Sequence, residues 1–395
     1  MKCLNESANV AQRGSLPEPS AEALEQSARL VEQVRREIAA AGGFLPFSRI
    51  MEMLLYTPGL GYYSGGSAKF GEAGDFVTAP ELTPLFGQTV AQQVAQVLRQ
   101  TGGSVLEFGA GTGKLARDVL LALDAAGVLP DQYGILDLSG DLRARQAETL
   151  EVLPPALKDR VVWLNSLPDS FTGVMLGNEV LDAMPVELIS KQKGEWRLRG
   201  IGWSENGFCW LEQDLPPGPL RQQAEQLAVP DDYVTELCPA AQGYIQSLAE
   251  RLQAGLILLV DYGFGASEYY HPQRNRGTLM CHYRHHAHDN PLLYPGLQDI
   301  TAHADFSAVA RAGIAAGLQL LGYTTQAHFL INAGITQLLM SVDPRDTARY
   351  LPLASAAQKL MSPAEMGELF KVIALGKGLN QPLVGFTRGD LSRLL

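Results

Sequence analysis

Apolar positions along the chain follow two rhythms. Leu24, Val31, Val34 and Ile38 recur at helical spacing until Gly42-Gly43 ends the run. A second helical stretch opens at Thr83-Pro84, a cap residue followed by a proline suited to the first helical position, and carries Phe86, Val90, Val94 and Val97 on one face. From Ser104 the rhythm changes. Short apolar runs at 104–108, 133–138, 160–164, 172–176 and 255–261 are separated by helical stretches, which predicts the buried strands of a parallel, doubly wound α/β sheet. Between the fourth and fifth runs, 196–203 and 208–212 flank Glu205-Asn-Gly and read as a hairpin that a simple sheet does not need. With the proline-rich 215–220 and the helical 241–252, it marks an insertion. The stretches 278–283 and 370–375 are expected to supply the remaining strands.

The first strand ends on Glu107 and breaks into Gly109, Gly111 and Gly113, which open a helix. Glycines there let a ligand lie against bare main chain at a helix N-terminus. Lys114 is followed by Leu115, so the Walker pattern is absent. The G-x-G-x-G spacing fits a dinucleotide fingerprint only in part. An acid two residues before the first glycine is awkward beside a pyrophosphate but suits a ligand with ammonium and sulfonium charges, which is S-adenosylmethionine. The plain alternative is a strand-helix turn without a ligand. Asp137 ends the second strand 24 residues beyond Gly113, placed to accept from ribose hydroxyls, and Leu138 adjoins it in the cofactor set. After the fourth strand, Asn178, Glu179 and Asp182 cluster outside the carboxyl edge, where open α/β sheets bind ligands. Asn178 as a plain helix cap is the competing reading.

Composition narrows the field. The chain has 395 residues and a net charge of −11 without a dense basic stripe, which speaks against a nucleic-acid substrate. No apolar run reaches bilayer-spanning length and the N-terminus lacks the apolar stretch of a signal peptide, so the expected location is cytoplasmic, without membrane insertion. The four cysteines form no C-x-x-C pair. Cys281, His282, His285, His286 and His288 crowd into eight residues, as a metal cluster or a polar loop; the expectation is no metal.

Several separate blocks resemble the MidA-like proteins, class I methyltransferases that include a mitochondrial assembly factor for respiratory complex I. The blocks are Pro46-Phe-Ser, 56–63, 71–81, 107–113, Asn178-Glu-Val-Leu-Asp-Ala-Met-Pro185, Val260-Asp-Tyr-Gly263, Arg276-Gly-Thr-Leu279 and 299–306. Two positions depart from the pattern: Asp137 stands where Glu is expected and Val180 where an aromatic is common. The resemblance implies a Rossmann-like class I fold with an N-terminal helical lid and an inserted α+β segment. It puts the 71–81 segment over the cofactor or substrate, with Asp75 in the cofactor set and Phe76 and Thr78 in the substrate set. His285 aligns with a family block. Asp299, His303 and Asp305 could stand at the active-site mouth, or only close a long loop.

The implied organisation is a tail over 1–19, the lid region 20–100, the cofactor-binding core 101–190, the insertion 191–254 and the rest of the core with a substrate region over 255–395. The implied activity is methyl transfer from S-adenosylmethionine to a protein, by resemblance an arginine of a respiratory NADH dehydrogenase subunit. A guanidinium beside a sulfonium needs carboxylates to offset repulsion, and Glu179 and Asp182 are spaced for one helical face. Rival readings are a small-molecule or carboxyl methyltransferase, and a non-catalytic assembly chaperone that binds the cofactor. Homodimerisation stays open.

Overall fold

The computed structural model describes residues 16–65, 77–137 and 140–395. Asp75, Phe76, Leu138 and most of the 1–19 tail lie outside the described residues. The chain divides into two compact units, each assembled from three stretches: Met1–Phe76, Asp182–Ala241 and Ser267–His303 form one, and Val77–Leu181, Gln242–Ala266 and Ala304–Leu395 the other.

The second unit is built on a sheet whose strands lie in the order Gln319–Thr325, Phe370–Lys377, Leu252–Phe264, Phe171–Asn178, Ser104–Phe108, Tyr133–Leu136 and Val161–Leu164. All pairings from Leu252–Phe264 to Val161–Leu164 are parallel, whereas Phe370–Lys377 runs antiparallel to both its neighbours. The central strands are apolar along nearly their whole length because helices cover both faces of such a sheet. From Ser104–Phe108 the chain steps outward to one side, then returns to Phe171–Asn178 on the other. That reversal sets the ligand crevice at the carboxyl ends of these two strands. Helix Pro84–Thr101 starts as expected: the Thr83 hydroxyl accepts from the Leu85 amide, and Phe86, Val90, Val94 and Val97 are buried in this unit's core.

The first unit holds helices Ala21–Ala40 and Phe47–Tyr56 and a five-stranded antiparallel sheet formed by Leu45–Pro46, Glu195–Ser204, Glu187–Gln192, Tyr233–Leu237 and Gly207–Asp214. The predicted hairpin turns at Glu205-Asn206, and Gly207, at φ 99°, opens the return strand. One strand expectation needs correction. The 278–283 stretch does not join the central sheet; Met280–Tyr283 is the middle strand of a small antiparallel sheet with His286–His288 and Asp299–Thr301. Its alternating exposure marks a strand covered on one face only. The central-sheet edge belongs to Gln319–Thr325, whose signal is weakened by Gly322; a Cβ there would sit 2.3 Å from the Phe386 ring.

Candidate functional site

The glycine loop joins strand Ser104–Phe108 to helix Lys114–Ala125. Gly109, Gly111 and Gly113 all adopt positive φ (59°, 54° and 86°), a region that side chains with a Cβ rarely enter. The Gly109 amide donates to the Leu136 carbonyl at 3.1 Å, tying the loop to the neighbouring strand. A Cβ on Gly111 would meet nothing within 4 Å, so the backbone here presents an open cradle. From one side Glu81 braces the loop: it accepts from the Thr112 hydroxyl and pairs with Lys114 Nζ at 2.5 Å. Thr78 stands at the start of the short helix Ala79–Leu82 that carries Glu81, where its carbonyl accepts from the Glu81 amide.

Two acids end adjacent strands at this edge. Glu107 is buried and accepts from the Tyr133 hydroxyl at 2.6 Å. Burial pushes its carboxyl up to about 7, the Tyr133 hydroxyl opposes this, and the charge of Asp137 adds to it. Asp137 follows strand Tyr133–Leu136 and accepts from Gln146 Nε2 at 2.8 Å. A buried carboxylate at such an edge is suited to a cationic or hydroxyl-rich ligand.

The turn after Phe171–Asn178 is not the helix that spacing suggested. Residues 179–186 hold no helix, so the argument that Glu179 and Asp182 share a helical face falls. Glu179 instead sits at φ 55°, its amide donating to the Val260 carbonyl at 2.8 Å. The next two amides, of Val180 and Leu181, both donate to Asp261 Oδ2, at 3.0 and 2.8 Å. A carboxylate accepting two successive amides is what holds a left-handed glutamate in place, and it explains why no helix forms. Asn178 Nδ2 donates to Glu179 Oε1 at 3.0 Å, while Asn178 Oδ1 is buried with no hydrogen-bond partner. This turn lies against the glycine loop, since a Cβ on Gly109 would come 3.6 Å from Val180 Cγ2.

The structure therefore gathers Glu107, Gly109, Gly111, Gly113, Asp137, Asn178 and Glu179 at one edge of one unit. Asp182, Asp299 and His303 belong to the other. There Asp182 is buried, its carbonyl accepts from the Ala302 amide, and Asp299 accepts from the Tyr63 hydroxyl at 2.9 Å. Burial, with the charges of Asp299, Tyr56 and Asp182, holds the Tyr63 phenol well above its usual range. The His303 amide donates to Thr278 Oγ1. Asp305 caps helix Phe306–Ala315 by accepting from the Ala308 amide at 3.0 Å. His285 is exposed in a two-residue hairpin turn with Arg284, both at positive φ.

Four residues at the edge were not singled out from the sequence: Glu81, Gln146, Trp163 and Asp261. Asp261 carried the same signal as Glu107 and Asp137, an acid ending an apolar strand. Glu81 ends the 71–81 segment that carries part of the family resemblance. Nothing local marks Gln146, which acts from the middle of a helix.

A doubly wound sheet with one reversed strand near its edge, opening at its reversal point onto a glycine cradle flanked by two acids, defines a class I methyltransferase that uses S-adenosylmethionine. Comparison with known proteins agrees. The family described as "Putative S-adenosyl-L-methionine-dependent methyltransferase" matches residues 88–324. A Burkholderia thailandensis protein solved with S-adenosyl-homocysteine bound is 53% identical, covering 96% of this chain and 100% of its own, with a TM-score of 0.94. The mitochondrial protein arginine methyltransferase NDUFAF7 of Rattus norvegicus is 30% identical over 84% of this chain and 81% of its own, and the Drosophila melanogaster homologue 27% identical over 94% and 91%. The chain belongs to this family of S-adenosylmethionine-dependent methyltransferases. The expected cytoplasmic location is corrected by the same comparison, in which these arginine methyltransferase relatives are mitochondrial proteins.

Proposed function

We propose that this methyltransferase acts on an arginine side chain of a protein, in a subunit of a respiratory NADH dehydrogenase. The observation that carries the reading is the turn at Asn178-Glu179: a left-handed glutamate, followed by two amides held by Asp261, beside a buried amide oxygen without a hydrogen-bond partner among the described residues, against the glycine loop. Acceptors arranged this way suit a planar, many-donor cation. The similarity to arginine methyltransferases supports the same class of target. When bound, S-adenosylmethionine supplies a methyl group already activated on a sulfonium. In this reading Glu107 faces the ammonium group of that cofactor, Asp137 the ribose hydroxyls, and Glu179 the guanidinium, whose charge it offsets.

Incubation with radiolabelled S-adenosylmethionine and purified NADH dehydrogenase subunits, followed by mapping of the labelled residue, is expected to place the label on arginine. A base-labile carboxyl ester, or label only in small molecules, would overturn the proposal.

The Glu107 assignment predicts a pH dependence. With its carboxyl pushed up to about 7, part of the ligand-free protein holds a proton there at neutrality, and an ammonium ligand requires the ionised form. S-adenosylhomocysteine affinity is expected to rise from pH 6 to 8 with proton release on binding, seen by calorimetry in buffers of different ionisation enthalpy. Glu107→Gln should flatten the profile; an equally steep one would remove Glu107 from the ammonium site. Without ligand the sign reverses. The folded value lies above the ordinary 4.5, so this group's contribution to stability is full below that value and is lost as pH rises through about 7.

A further inference from the structure

Gln146 stands in helix Gly140–Leu150 with its side chain fully buried, yet it is not apolar packing. Nε2 donates to the Gly111 carbonyl at 3.1 Å and to Asp137 Oδ2 at 2.8 Å, while Oε1 accepts from Trp163 Nε1 at 3.0 Å. The three partners come from three different connections of the sheet: the glycine loop, the end of the second strand and the third strand.

Only one orientation of the amide satisfies them. An indole N–H can only donate, and an ionised carboxylate and a carbonyl can only accept. Turned over, the amide would aim its oxygen at two acceptors and its N–H groups at a donor. The helix itself is pressed against the loop, since a Cβ on Gly113 would lie 3.1 Å from Gln146 Cα. Trp163 thus fixes Gln146, and Gln146 fixes both a carboxylate and a cradle carbonyl.

We propose that Gln146 is a positioning residue for nucleoside recognition, acting through Asp137 to set its carboxylate for a vicinal diol, with Trp163 locking Gln146 in turn. This rests on the reading that Asp137 accepts from the ribose hydroxyls of the cofactor. It explains how a shorter acid than the family's usual glutamate is held at a defined place: the neighbouring glutamine confines it from the side.

The test is a double-mutant cycle on S-adenosylhomocysteine affinity, measured by calorimetry alongside thermal melting. Asp137→Ala is expected to weaken binding roughly ten- to hundredfold, the loss of charge-assisted hydrogen bonds. Gln146→Met, close in volume, should weaken it about tenfold, and the double variant should bind no worse than Asp137→Ala alone, because the second change acts through the first. Gln146→Glu, which sets one carboxylate against another, should bind worse than Gln146→Met at neutral pH. Trp163→Phe should cost a severalfold part of the same affinity while leaving the Asp137→Ala variant unaffected. Additive losses in the double variant, or an unchanged affinity for Gln146→Met and Gln146→Glu, would overturn the proposal while leaving the ribose role of Asp137 standing. Wild-type affinity for Asp137→Ala would overturn both.

Discussion

Glu179→Gln is expected to slow methyl transfer on the order of a hundredfold while leaving S-adenosylmethionine affinity within severalfold. The substitution keeps shape and the hydrogen bond with Asn178 within reach, and removes only the charge. A guanidinium brought beside a sulfonium without a carboxylate is a partly desolvated, uncompensated cation, and such a charge costs several kcal/mol, about 1.4 for each tenfold in rate. Single-turnover methylation of the identified target measures the loss. Glu179→Gly separates function from folding. The position sits at φ 55°, where a left-handed residue other than glycine costs about 1–2 kcal/mol. Removing the side chain should therefore abolish the clamp without lowering the melting temperature. Wild-type turnover by Glu179→Gln would end the carboxylate-clamp mechanism. A sharp fall in the stability of Glu179→Gly would mean that the glutamate is there for the fold.

The reason Glu179 is strained was not readable from its neighbours in sequence. Asn178-Glu-Val-Leu-Asp182 has the look of a capped helix start, and spacing puts its two acids on one face. What prevents the helix is Asp261, about eighty positions away in the chain, whose carboxylate takes the Val180 and Leu181 amides that a helix would have used. Local pattern reports what a segment prefers; a partner from another strand decided otherwise. The parallel strands were legible as short apolar runs, most of them followed by an acid or a glycine, and the loop because three positive-φ positions had to be glycine; the edge strand Gln319–Thr325 was not legible. The division into two interleaved units was not either, since each is assembled from three separate stretches of the chain. The 20–100 region shows this: its first two helices bury their apolar faces in one unit, and helix Pro84–Thr101 buries its own in the other. Gln146 was invisible for a related reason, because a polar residue in a helix gives no sign of which strand ends it will meet.

Gly111→Val is expected to fold and to lose S-adenosylmethionine and S-adenosylhomocysteine binding altogether. The three loop glycines differ in what surrounds them, so their substitutions should separate. At Gly111 a Cβ would meet no atom of the described residues within 4 Å; a side chain there pays the left-handed backbone cost, on the order of 1–2 kcal/mol and more for a β-branched residue, and projects into the space expected for the ligand. At Gly113 the same Cβ would lie 3.1 Å from the backbone of Gln146, and helix Gly140–Leu150 would have to move. Gly113→Val should accordingly lower the melting temperature much more than Gly111→Val. The wild-type melting temperature should climb with added S-adenosylhomocysteine, because a ligand at about a hundred times its Kd stabilises the fold by about 2.7 kcal/mol. Gly111→Val should melt a few degrees below the ligand-free wild type and show no such climb, whatever the ligand concentration, while Gly111→Ala should retain a weakened response. A Gly111→Val protein that is folded and still shifts with ligand as the wild type does would place the cofactor away from this loop.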